Sequence, residues 1–104
     1  MIWFTDEDRA LTEKSKEEGL VTWAYVSEEM GIMIEIYDHY ANSEKDSLYF
    51  PRIVLYDIDE DYIYDTYTDL EDAKEKGIRI MINHFHYFIS DLNIALYELM
   101  RELV

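Results

Sequence analysis

Two hydrophobic periods divide this chain and constrain its fold more than any motif does. Over residues 20–67 the apolar positions come in short β-branched and aromatic runs, and from Leu70 onward they recur every three to four residues. The first pattern belongs to strands with one face in a core, the second to a helix with one apolar stripe. The clearest strand is residues 32–40, IMIEIYDHY, where Ile32, Ile34 and Ile36 point one way and Met33, Glu35 and Tyr37 the other. It follows LVTWAYV at residues 20–26 across a turn at residues 27–31, so the two make a hairpin. A third strand is expected over residues 48–58, where Pro51 suits an edge position or a strand beginning. A fourth is expected over residues 62–67, after a turn at Asp59, Glu60 and Asp61.

Helices flank this meander. Near the N-terminus Ile2, Trp3 and Phe4 form an apolar anchor, and Thr5 followed by Asp6, Glu7 and Asp8 reads as a helix start. That helix is expected over residues 6–18, stopped by Gly19. At the other end Thr68-Asp69-Leu70-Glu71 reads as a capping box. The stripe beyond it runs through Ala73, Gly77, Met81, Phe85, Phe88, Leu92, Leu96, Leu99 and Leu103. One helix of that extent would span roughly 52 Å, long for so small a domain, and a break near Ser90-Asp91 would give two helices instead. A rival reading ends the helix at Gly77 and makes residues 78–83 a fifth strand. The expected fold class is α+β: a helix, an antiparallel sheet of about four strands, and a long or broken C-terminal helix on one sheet face.

The 104 residues suffice for a single compact domain, and 3 Gly and 1 Pro leave no linker-like run. The absence of Cys excludes disulfides, thiolate metal sites and a catalytic thiol. No basic, apolar leader opens the sequence and no run approaches membrane-spanning length, so a soluble cytoplasmic protein is expected. With 24 Asp+Glu against 9 Lys+Arg the net charge is −15, which repels nucleic acid and anionic lipid and attracts basic surfaces. No direct nucleic-acid or membrane binding is expected.

More than half of that charge lies in YDIDEDYIYDTYTDLED, residues 56–72, which holds eight carboxylates and four tyrosines and no base. Carboxylates two apart on a strand share a side at about 6.6 Å, against about 3.4 Å per phosphate along each strand of a duplex. Tyrosine adds rigid contact area with a hydrogen-bonding tip. The candidate partner-binding set is therefore Asp57, Asp59, Glu60, Asp61, Tyr62, Tyr64, Asp65, Tyr67, Asp69, Glu71 and Asp72. Glu28, Glu29, Glu35 and Asp38 form a second acidic group whose alignment with the first is open. The commoner role of such a charge run is plain solvation of a surface.

Other chemistry finds less support. Asp57, Asp59, Asp61 and Asp65 match part of an EF-hand loop, but Tyr62 replaces its glycine and Thr68 its bidentate glutamate, leaving at most a weak cation site. His84 and His86 stand about 200° apart on a helix and cannot share an ion, so no metal or other cofactor is expected. No catalytic residue can be singled out and no enzyme activity is expected. The segment IRIMINHFHYFI, residues 78–89, is apolar nearly all round; Ile78, Ile82 and Tyr87 fall outside the main stripe and are candidate homodimer contacts.

In size and charge the chain resembles the DNA-mimic inhibitors that phages and mobile elements direct against restriction or CRISPR nucleases. That likeness extends over the whole chain but carries over no residue. It implies a non-enzymatic protein that blocks the nucleic-acid groove of a basic nuclease or CRISPR effector. The alternatives are a small assembly protein that homodimerises through its C-terminal helix, and an antitoxin or immunity-type protein.

Overall fold

A computed structural model describes residues 1–59 and 65–103, Asp59 by its place in a strand alone. The element order is β1 (Trp3–Phe4), α1 (Glu13–Glu18), β2 (Leu20–Ser27), β3 (Ile32–Asp38), β4 (Tyr49–Leu55), β5 (Ile58–Asp59) and α2 (Leu70–Glu102). The strands form one antiparallel sheet in the order β1-β2-β3-β4-β5, with α2 packed across β3 and β4. This is the expected α+β meander with a C-terminal helix, and β1 extends it by pairing Trp3 with Ala24 and Phe4 with Trp23. The Thr22 hydroxyl ties that addition down by donating to the Phe4 carbonyl at 2.6 Å.

Alternation along β3 decides which face is covered. Ile32, Ile34 and Ile36 are buried together with Ile53, Leu55, Ala73 and Met81, so the isoleucine side of the strand lies under α2. The helix comes close because position 77 has no side chain: a Cβ there would lie 2.7 Å from Ile34 Cγ2 and 3.2 Å from Pro51 Cβ. Gly77 thus belongs to the helix interior as its seat on the sheet. Residues 78–83 continue the helix, and the rival strand does not form.

The opposite face is an aromatic layer. Phe4 lies 6.2 Å from Trp23 and 6.1 Å from Tyr25, and Tyr37 stacks on Phe50 at 5.6 Å. Arg52 and Arg9 cover it, their guanidinium groups 4.8 Å from the Tyr37 ring and 4.4 Å from the Phe4 ring. Flat cation-on-ring packing of this kind shields rings without a second helix.

Two boundaries differ from expectation, and a third settles what the sequence leaves open. The N-terminal helix starts at Glu13, with Thr12 as its cap and Gly19 closing it at φ 87°. The acidic run before it is spent on local turns instead: Asp8 accepts the Thr5 N–H at 2.8 Å and Asp6 accepts the Leu11 N–H at 2.8 Å. The β4–β5 connection is a two-residue turn at Tyr56 and Asp57, both at positive φ (55° and 64°), with Leu55 paired to Ile58. That is the mirror-image turn a twisted hairpin prefers, here built without the usual Asn-Gly signal. Of the expected turn at residues 59–61, Asp59 lies in β5 instead; residues 60–64, with most of the expected fourth strand, lie outside the described residues, and Tyr67 bridges Tyr49. Last, α2 runs unbroken through Ser90 and Asp91 to Glu102.

Pro51 sits inside β4, opposite Ile36 of β3. Tyr49 donates its N–H outward to Tyr67 at 2.7 Å, so position 51, two residues on, directs its missing N–H to the same outer side.

The helix outruns the sheet. Ala73, Gly77 and Met81 are its buried residues, whereas residues 86–103 are exposed throughout, about 27 Å of helix at 1.5 Å per residue. The molecule accordingly measures 64 × 26 × 22 Å, and its radius of gyration of 16.9 Å exceeds the roughly 13 Å of a globular chain of this length.

Filling the seat tests this packing. Gly77→Leu must displace Ile34 or lift the helix, and a loss of about 2–3 kcal/mol is expected, read as a fall of 10 °C or more in Tm by circular dichroism.

Candidate acidic interface

The described parts of the acidic stretch lie at the two ends of β4, through Ile58 and Asp59 at one and Tyr67 at the other. Asp57 stands at the end of β4 where the β2–β3 turn arrives, its N–H donating to the Gly31 carbonyl at 3.0 Å. Its carboxylate occupies the space beside Gly31, which is at φ 64° and has no Cβ to compete for it. Glu28 and Glu29 precede that glycine and are exposed, so this contact gathers Glu28, Glu29 and Asp57 at one end of the sheet. The two acidic groups of the sequence therefore meet here. Arg9 moderates the charge through a 3.3 Å ion pair with Glu28.

Asp65, Asp69, Glu71 and Asp72 lie toward the other end, around the point where Tyr67 pairs with Tyr49. All four are exposed. From Leu55 to Tyr49 is six residues of strand, so the acidic margin extends about 20 Å. The described carboxylates mark its two ends; Glu60, Asp61, Tyr62, Tyr64 and the side chain of Asp59 lie outside the described residues.

Local chemistry shows which acids are already engaged. Asp69, not Thr68, caps α2: its Oδ1 accepts the N–H groups of Glu71 at 2.7 Å and Asp72 at 3.2 Å. A carboxylate next to the positive end of a long helix suits this role better than a neutral hydroxyl. Glu71 pairs with Lys74 at 3.0 Å, and the Lys74 ammonium also lies 5.2 Å from the Trp3 ring. Among the described members of the set, Asp65 and Asp72 are the least committed to the fold, whereas Asp57 is held in its turn beside Gly31. Tyr67 is half-buried against the core and anchors the margin. Beside it a shallow cleft of about 250 Å3 is lined by Tyr67, Asp72, Glu75, Lys76 and Arg79, with Arg79 held by Glu75 at 2.8 Å.

The remaining acids of the second group serve the fold. Glu35 faces Arg52 across the β3–β4 ladder. Asp38 closes the loop after β3, accepting from the Ser47 hydroxyl at 2.7 Å and from the N–H groups of Tyr40 at 2.9 Å and Leu48 at 3.2 Å. Partial burial pushes the Asp38 carboxyl upward, but these hydrogen bonds and the neighbouring His39 outweigh it and hold its pKa below the usual carboxylate value.

Among the described residues no group of three or more His, Asp or Glu is placed to hold a metal ion. His84 and His86 lie on the unbroken α2 and diverge as their spacing requires. No described helix is long and apolar enough to cross a membrane.

The three candidate dimer contacts are not equivalent. Ile78 is half-buried against the core, Ile82 is 49% exposed where α2 leaves the sheet, and Tyr87 is 76% exposed. The large apolar side chains beyond them are open, both on the stripe (Phe88, Leu92, Leu96, Leu99 and Leu103) and off it (Ile89, Ile94, Tyr97 and Met100). The signal in the sequence was helix length, since a stripe of 52 Å cannot be covered by strands of seven or eight residues.

The loop clamp gives a pH test. Because folding lowers the Asp38 pKa, its contribution is complete above the ordinary carboxylate value near ~4 and is lost as pH falls through the folded value. Asp38→Asn should destabilise by about 1–2 kcal/mol at neutral pH, and the gap from the unsubstituted protein in urea unfolding should close below pH ~3.

Comparison of the chain with protein-family models, with curated proteins and with solved structures yields no match.

Proposed function

We propose that this chain is a non-enzymatic inhibitor that lays its acidic margin into the nucleic-acid groove of a basic protein, of the nuclease or CRISPR-effector type, and so excludes the nucleic acid. The observation that carries this reading is linear extent: Asp57 with Glu28 and Glu29 at one end, and Asp65, Asp69, Glu71 and Asp72 at the other, bound a margin of about 20 Å. A nucleic-acid strand places about six phosphates over that length. Carboxylates spread over that length compete for the same Lys and Arg side chains.

Roles within the margin follow from what each group already does. Asp57, Asp65 and Asp72 present charge; Asp69 holds the helix end and presents its second oxygen; Tyr67 keeps the segment against the sheet. The partner acts in the cytoplasm, which fits a chain without cysteine.

The test is capture from a bacterial lysate on the immobilised protein, alongside the triple variant Asp65→Lys/Glu71→Lys/Asp72→Lys, which leaves the Asp69 cap and the Asp57 turn in place. A nucleic-acid-binding protein should be retained at low salt, released at about 0.5 M salt and by heparin, and lost with the triple variant. Retention that survives both salt and the three lysines would overturn the reading.

A further inference from the structure

Beyond the sheet, α2 carries the same stripe that it uses upon the sheet. At 100° per residue, Phe88, Leu92, Leu96, Leu99 and Leu103 continue the line of Ala73, Gly77 and Met81, drifting slowly round the helix. With Ile82 and Ile89 they form one strip of seven large side chains, exposed by 42% (Phe88) to 89% (Leu103). Taking about 200 Å2 for a fully exposed side chain of this kind, the strip offers roughly 700–800 Å2 of apolar surface. A standard interface takes about 800 Å2 from each partner, and the largest apolar patch on a typical monomer is about 300–600 Å2.

Charge identifies the occupant. Residues 86–103 hold three carboxylates, Asp91, Glu98 and Glu102, and one arginine, Arg101, so only two of the fifteen net negative charges lie on this half of the helix. The rest of the chain would repel an identical body brought alongside it. Two helices side by side and pointing the same way would do that; two pointing oppositely would hold the bodies apart by about 27 Å of helix, well beyond the ~8 Å screening length of physiological salt.

We propose that this strip binds the same strip of a second copy, the two α2 helices antiparallel about a two-fold axis at Leu92. In that register Leu96 faces Phe88, Leu99 faces Phe85, and Leu103 reaches Met81 and Ile82. There an apolar groove of about 190 Å3, lined by Met1, Val26, Ile34, Ile78, Met81, Ile82 and Phe85, lies open where the helix leaves the sheet. Each helix end fills the groove of the other copy, and the acidic margins remain outside. Tyr87, about 140° round the helix from Leu92, lies off this contact.

Sedimentation velocity at about 100 μM should give one species at twice the 12.6 kDa chain mass. Leu92→Glu, which sets two like charges on the axis, should give a monomer that keeps the folded sheet by circular dichroism and whose Tm no longer rises with concentration, because Leu92 is exposed in the single chain. The chain has no cysteine of its own, so introduced thiols report the register. Under mild oxidation Leu92→Cys should cross-link to itself, and a mixture of Leu99→Cys and Phe85→Cys should cross-link to each other. Leu99→Cys alone should stay single. A monomer at every concentration would overturn the proposal and leave the strip to a different partner; efficient self-linking of Leu99→Cys would overturn the antiparallel arrangement.

Discussion

The close approach of α2 to the sheet at Gly77 is the contact on which the rest of the molecule depends. A helix normally stands about 10 Å from a sheet because side chains fill the gap. Here a glycine and an alanine face Ile34, Ile36 and Pro51, and the helix backbone takes the place of a side chain. The seat is short, with Ala73, Gly77 and Met81 covering three turns, so a small sheet satisfies it completely. Everything beyond it is surplus to the core. A glycine in a helix interior is about 1 kcal/mol less favourable than alanine, and the dense contact with buried isoleucines offsets that.

Placement of charge follows from the same economy. One sheet face is sealed by α2 and the other by aromatic rings under two arginines, so the acids are left to the turns and margins. Several are then absorbed locally: Asp6 and Asp8 in the N-terminal turns, Asp38 in its loop, Asp69 at the helix end. The raw excess of carboxylates thus overstates the charge available to a partner. What remains is concentrated at the two ends of β4, and that arrangement, more than the total, sets what the molecule can bind.

Strand alternation made β2, β3 and their hairpin legible from the residues, because period two with isoleucine on one side leaves a single choice of buried face. Gly19 and Pro51 were equally plain, each marking a backbone demand that other residues meet poorly. The start of α1 was not, since Thr5 and Thr12 both precede acids and only tertiary hydrogen bonding separates them. The Tyr56-Asp57 turn lacks glycine and asparagine, so its positive φ angles carried no compositional trace. Ser90-Asp91 offers a break without requiring one, so the residues leave one helix or two open. In an exposed helix a serine is only about 0.5 kcal/mol worse than alanine, too little to interrupt a helix already nucleated on the sheet. Of the candidate acidic margin, the carboxylates can be read from the sequence, but the separation of its described ends along β4 comes only from strand pairing.

The projection of α2 also makes the molecule a lever. From Met81 to Leu103 is about 33 Å of stiff helix, so a tilt of only 10° at the seat would carry the tip through about 6 Å. Slight looseness around Gly77 would therefore be magnified into misalignment at the far end, well away from the core that caused it. The tight seat on Ile34 and Pro51 sets the aim of the projecting end as well as the stability of the sheet.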